Sequence, residues 1–142
     1  MKRTSLKIFS KLRLAQTHAK ENIYWCVGEN AQFEKIDASP QILKIKMDGN
    51  IFNIDHLMSE LWNTGIRSLY VEGGASTFAA LIQSGWAHRL YIYQAPHIIG
   101  AGGGLSWTQA LSISKMDQRH GLKNLRISQW GDDWLLTARF LD

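Results

Sequence analysis

The sequence is poor in the residues that carry the most easily read chemistry. A single cysteine, Cys26, excludes a disulfide framework and any metal site built from several thiolates. It lies in the apolar run NIYWCVG and reads as a buried thiol. There is no apolar run of about 18 residues, so no membrane-spanning helix is expected. The basic opening MKRTSLKIFSKLRL has apolar stretches too short for a secretory signal, and a cytoplasmic protein is expected. His18, His56, His88, His97 and His120 show no tight ligand spacing, so no metal site is expected. Neither a GxGxxG fingerprint nor a P-loop is present.

The 142 residues are 45% hydrophobic and 20% charged, which suits one soluble domain with a core of its own. The net charge of +4 favours an anionic partner, either a small phosphorylated molecule or a nucleic acid. The cations are scattered from Lys2 to Arg89 with no dense cluster and no nucleic-acid motif, so nucleic acid is the weaker expectation.

Alternation predicts a strand over TSLKIF (Thr4 to Phe9), and SKLRLAQTHAKEN reads as a polar loop. IYWCV, uninterrupted and apolar, suits a central strand covered on both faces. ILKIKM alternates again and is followed by a DGN turn. A helix is expected from His56 to Asn63, capped by Asp55, stopped by Gly65, with Leu57, Met58, Leu61 and Trp62 on its apolar face. IRSLYV reads as a strand, ASTFAALIQS as a helix closed by Gly85, and HRLYIYQA as a further strand. This alternation implies a mainly parallel sheet in that part. After Pro96 come a glycine-rich loop, HIIGAGGGLSW, and two strands around GDD that read as an antiparallel hairpin.

The segment YVEGGAST concentrates the chemistry. A glycine pair where a strand gives way to a helix lets backbone approach a ligand, and the free N–H groups of the first helical turn favour an anion. Ser76 and Thr77 add hydroxyl donors. The same pattern also fits a tight turn with a helix cap. Glu72 suits a ribose hydroxyl or a base N–H, or else a salt bridge or helix-terminus contact.

The stretch GIRSLYVEGGASTFAALIQSGWAHRLYIYQAPHIIGAGG resembles the reductase domain of bacterial riboflavin biosynthesis, the C-terminal half of a bifunctional deaminase–reductase. The likeness is densest from Gly65 to Gly104 and extends more weakly through FNIDHLMSEL towards SLKIFSKLRL. It implies an α/β, dihydrofolate-reductase-like three-layer fold, with a mainly parallel sheet and a C-terminal antiparallel hairpin, over a single partial domain spanning residues 1–142. It also implies reduction of the ribosyl ring of 5-amino-6-(5-phosphoribosylamino)uracil to the ribityl form with NADPH. Glu72 would then contact substrate. Gly74, Ala75, Ser76, Thr77, Phe78, Ala79 and Ala80 would line the cofactor phosphates, with Ser10 also near the cofactor.

The sequence departs from that family in several places. The chain is expected to begin after roughly the first third of the family's domain, leaving a sheet edge exposed. Either the reaction has been lost, or a second copy or another chain completes the surface. Phe9 replaces the family's usual Asp, leaving only Ser10 of that pair. His88 stands where an acid is usual, and His97 is either a basic surface residue or a phosphate contact. Six tryptophans are many for this length; Trp25 is expected in the core, and the others either pack in the core as well or cover an edge or interface, with Trp130 and Trp134, flanking the last turn, the preferred interface candidates. The alternative function is a non-catalytic nucleotide-binding or oligomerising module.

Overall fold

A computed structural model describes residues 12–32, 40–98, 104 and 106–141. The expected strand from Thr4 to Phe9, Ser10, and most of the glycine-rich loop lie outside the described residues. The chain divides into two compact units, Met1–Leu69 and Tyr70–Asp142.

In the first unit, the segment read as a polar loop contains a short helix, α1 (Arg13–Thr17), and a 3₁₀ turn at Lys20–Asn22. Strand β1 (Tyr24–Gly28) runs parallel to β2 (Gln41–Ile45), with Trp25 opposite Ile42 and Val27 opposite Lys44. Ile23, Val27, Ile45 and Leu61 are buried, and Ile45 is fully so. Tyr24, Trp25 and Cys26 are only half-buried, so β1 is not the doubly covered central strand its sequence suggests. Gly28 lets the Met47 side chain pack close, since a Cβ there would lie 3.2 Å from it. The DGN turn forms as expected, with Gly49 at φ 64 between β3 (Met47–Asp48) and β4 (Ile51–Phe52).

Helix α2 (Ile54–Asn63) starts earlier than its pattern suggests. Its cap is Asn53, whose side-chain oxygen accepts from the His56 amide at 2.8 Å. Asp55 falls in the first turn, where its charge complements the helix dipole rather than capping. The helix ends at Gly65, φ 93, where the Ile66 amide reaches the Leu61 carbonyl and the Gly65 amide the Trp62 carbonyl. These paired bonds form a Schellman motif, which favours glycine in the left-handed conformation. Leu61 is buried and Leu57 and Met58 are half-buried, but Trp62 is 58% exposed. The Arg67 guanidinium lies 3.8 Å from the Trp62 ring centroid, so a cation–π contact takes the place of core packing.

In the second unit, α3 (Ala75–Gln83) ends in the same way: Gly85 has φ 76 and the Trp86 amide donates to the Leu81 carbonyl. Strands β5 (Arg89–Gln94), β6 (Leu122–Trp130) and β7 (Asp133–Phe140) form one antiparallel sheet in the order β5-β7-β6. The C-terminal hairpin is therefore as expected. Its loop is Gly131–Asp132, two residues rather than three, with Trp130 paired to Asp133. Gly131 at φ 63 supplies the positive first position of a II′-like turn. Among the described residues, parallel pairing is confined to β1–β2, a smaller share than the alternating elements suggest. The reason is IRSLYV, which forms no ladder: Leu69 and Tyr70 are exposed, and no described strand pairs with the segment.

Replacing Asn53 by Ala removes the α2 cap and is expected to cost about 1 kcal/mol of unfolding free energy in urea titration. Gly85→Ala, which forces a side chain into left-handed geometry, is expected to cost roughly 1–2 kcal/mol in the same measurement. Burial pushes the half-buried Cys26 thiol above its ordinary pKa. Its alkylation at mildly alkaline pH should therefore be slow in the native protein and accelerate in denaturant, a comparison read by mass spectrometry.

Candidate functional site

The two glycines before α3 differ in what they do. A Cβ on Gly73 would crowd the Thr77 side chain at 3.1 to 3.3 Å, so the helix's own packing favours glycine there. Gly74 has φ −84 and ψ 175, a conformation open to any residue, and a Cβ there would meet nothing within 4 Å. Nothing among the described residues explains a glycine at position 74: no described atom stands in the space in front of it.

Gly74 is also the N-cap of α3, and it contributes no side-chain cap. Its carbonyl accepts from the Thr77 amide at 3.0 Å and the Phe78 amide at 3.2 Å. The amides of Ala75 and Ser76 thus open the helix without a capping side chain, and no acid lies in the first turn to offset the positive end of the dipole. The chemistry on offer is that of an anion cradle: backbone N–H donors, approachable backbone at Gly74, and the exposed hydroxyls of Ser76 and Thr77.

The remaining expected site residues divide by burial. Ala75 and Ala80 are half-buried, Phe78 likewise, and Ala79 is only 3% exposed and belongs to the interior. Exposed contact with a ligand at this helix therefore falls to Gly74, Ser76 and Thr77. Glu72 is exposed, on an extended segment that pairs with no described strand. Ser10 lies outside the described residues. His97 and His88 are both exposed. The backbone carbonyl of His88 accepts from the Phe140 amide.

Sequence reading missed two local arrangements. Tyr70 and Tyr91 approach with ring centroids 6.2 Å apart and planes tilted by 56°, which ties the segment leading to Glu72 to β5. His56 accepts from the Lys46 amide at Nδ1, 3.2 Å, while its Nε2 lies 3.8 Å from Glu60. The i, i+4 spacing of His56 and Glu60 is the signal for the second contact. No group of three or more histidine, cysteine or acidic side chains suited to a metal occurs among the described residues.

Comparison with known proteins places this geometry in a family. The family described as RibD C-terminal domain matches residues 4–136. The chain belongs to that family. Its solved relatives share the dihydrofolate-reductase-like α/β fold: Acinetobacter baumannii RibD superposes with a TM-score of 0.57 in one form and 0.56 in another, at 19% and 20% identity. These superpositions cover 75% and 74% of this chain and 28% of the Acinetobacter chain in each case. Among curated proteins, the riboflavin biosynthesis protein RibD of Bacillus amyloliquefaciens is 35% identical over 86 residues, 61% of this chain and 23% of that protein. The protein of the same name from Aquifex aeolicus is 26% identical over 132 residues, 92% of this chain and 35% of its own length. The RibD C-terminal domain chain thus spans about a quarter to a third of the relatives it matches.

The division of labour between the two glycines is testable by stability alone. Gly74→Ala should cost only about 0.5 kcal/mol, the N-cap preference of glycine over alanine, because the site is open towards the described residues and its backbone unstrained. Gly73→Ala should destabilise by roughly 1–2 kcal/mol, because the added methyl crowds Cβ, Oγ1 and Cγ2 of Thr77 and backbone must shift to relieve it. Combining Gly73→Ala with Thr77→Ala, which removes Oγ1 and Cγ2, should recover part of that loss.

Proposed function

We propose that the chain is an NADPH-dependent reductase of the riboflavin-pathway type. Its substrate on this reading is 5-amino-6-(5-phosphoribosylamino)uracil, reduced to the ribitylamino form. The observation that carries the reading is the uncapped start of α3 behind an unstrained, open Gly74, in a chain of the RibD C-terminal domain family.

The residues present fit such a cofactor. A Cβ at Gly74 would fill the space that a phosphate would use, and the Ala75 and Ser76 amides with the Ser76 and Thr77 hydroxyls are donors suited to phosphate oxygens. Bound NADPH would supply the hydride. The protein's contribution is then to hold the phosphates in register with α3 and to orient the sugar against the nicotinamide, which needs no nucleophile and no triad. Ala79, being interior, supports the site by letting the helix pack closely rather than by touching a ligand. Glu72, exposed two residues ahead of Gly74, is the acceptor we assign to substrate hydroxyl or N–H groups. Ser10 is a third hydroxyl that we assign near the cofactor, from the family resemblance.

A second reading has its own support. The segment before Glu72 lacks a ladder, and β1–β2 is a two-stranded parallel sheet, an arrangement that normally needs cover on both faces. A chain with that sheet content also fits a nucleotide-binding or oligomerising module without turnover. Both readings retain the anion cradle, and they differ in catalysis.

Titration with NADPH, followed by quenching of tryptophan fluorescence, should show saturable binding. Gly74→Asp should abolish it by placing bulk and negative charge against the phosphates, while the thermal midpoint holds or rises, since Asp is a good N-cap. Unaltered affinity in that variant would remove the phosphate assignment. Turnover with the phosphoribosylaminouracil, assayed by NADPH absorbance, separates the enzyme from the binding module.

A further inference from the structure

The second unit carries a group of exposed tyrosines that the cofactor reading leaves unused. Tyr70 is 65% exposed, Tyr91 41% and Tyr93 59%. The Tyr70 and Tyr91 rings approach to 6.2 Å between centroids. That contact aligns two stretches of the unit: the extended segment that carries Glu72, and β5, which carries Tyr93.

The connection between these stretches is α3 with a short turn at each end, the kind of crossover that joins arms running in the same direction. The second turn is tight. The Ala87 amide donates to the Leu81 carbonyl at 3.2 Å, so β5 starts beside the last turn of the helix. The nine residues of α3 advance about 13.5 Å from Gly74 towards that point. From Arg89 to Tyr93 the strand covers about 13 Å on the way back. Tyr93 therefore stands level with the start of α3, the end at which Glu72 and Gly74 lie. The ring contact leads to the same placement. Residues two apart on extended backbone share a face. Glu72 is one such step beyond Tyr70, and Tyr93 one such step beyond Tyr91, on the face where the two rings meet. Within the sheet Tyr93 lies opposite Leu135, which is 7% exposed, an apolar cross-strand neighbour of the kind that steadies an aromatic ring.

We propose that Tyr93 is a substrate-binding residue, whose ring stacks on the uracil ring of the substrate while Glu72 accepts from that ring's N–H groups. This rests on the reading of Glu72 as a substrate contact. A planar heterocycle with N–H donors along its edge calls for an aromatic face and an acceptor at its rim, and these two side chains supply one each. The cofactor phosphates call for neither, and are served by the amides and hydroxyls at the start of α3.

Calorimetric titration of the full chain with the ribitylamino product reads the uracil site without turnover, and titration with NADPH reads the cofactor site beside it. Tyr93→Thr removes the ring and keeps a residue that favours strand. It should weaken the product roughly five- to 150-fold, the range for losing one aromatic ring from a stacked base, with NADPH affinity unchanged. Tyr93→Phe, which keeps the ring, should retain product affinity. Gln94→Ala, on the opposite face of β5, should leave both affinities as they are. Product affinity indifferent to Tyr93→Thr but lowered by Glu72→Gln overturns the proposal and leaves the Glu72 assignment standing. Loss of NADPH affinity in place of product affinity moves the ring to the nicotinamide and overturns it equally. A chain that binds no product at all overturns it together with the reading of Glu72.

Discussion

A β-strand has no stability apart from its ladder, and that constraint governs most of this structure. Each residue's N–H and C=O must find a partner or remain in water, whatever the side chains prefer. IRSLYV has the composition of a strand and stays an exposed, unpaired segment because no described strand runs beside it. IYWCV has the composition of a doubly covered strand and is half-buried, because β2 is its one described neighbour. Apolar composition sets what a segment would gain from burial. Pairing decides whether the gain is realised.

The helices escape this constraint because their hydrogen bonds are internal. α2 and α3 begin and end where local chemistry tells them to: Asn53 caps one start, and Gly65 and Gly85 close the two ends with the same pair of backbone bonds. The anion cradle at α3 inherits that independence. It is assembled from Gly73, which seats Thr77, from Gly74, which leaves the approach open, and from amides that the helix itself leaves over.

This contrast explains how much of the molecule was legible in the sequence. The helix stops at Gly65 and Gly85, the Gly49 turn and the C-terminal hairpin could all be read, since each rests on a few neighbouring residues. The start of α2 was displaced to Asp55 because Asn and Asp are equally good caps, and only the position of the first bonded amide separates them. Trp62 was placed on an apolar face by its spacing, but Arg67 five residues on offers its ring a cation, and an exposed stacked indole results. The unequal roles of Gly73 and Gly74 were invisible in the sequence, where they are identical letters. What separates them is the distance to Thr77, a fact of three-dimensional packing.

The same contrast bears on how reduction would be divided within the chain. On the proposed reading, holding the cofactor phosphates would call chiefly on α3, a helix whose start is fixed by its own backbone. Holding substrate would call on Glu72, which stands on a segment without a described strand partner, two residues beyond the Tyr70–Tyr91 contact. Hydride transfer is sensitive to sub-ångström placement of donor and acceptor carbons. The two functions therefore have different structural demands: cofactor binding needs a helix terminus, whereas turnover needs the Glu72 segment held rigidly against a sheet. If the proposed reading holds, a strand that pairs with that segment would favour turnover while leaving the α3 terminus as it is.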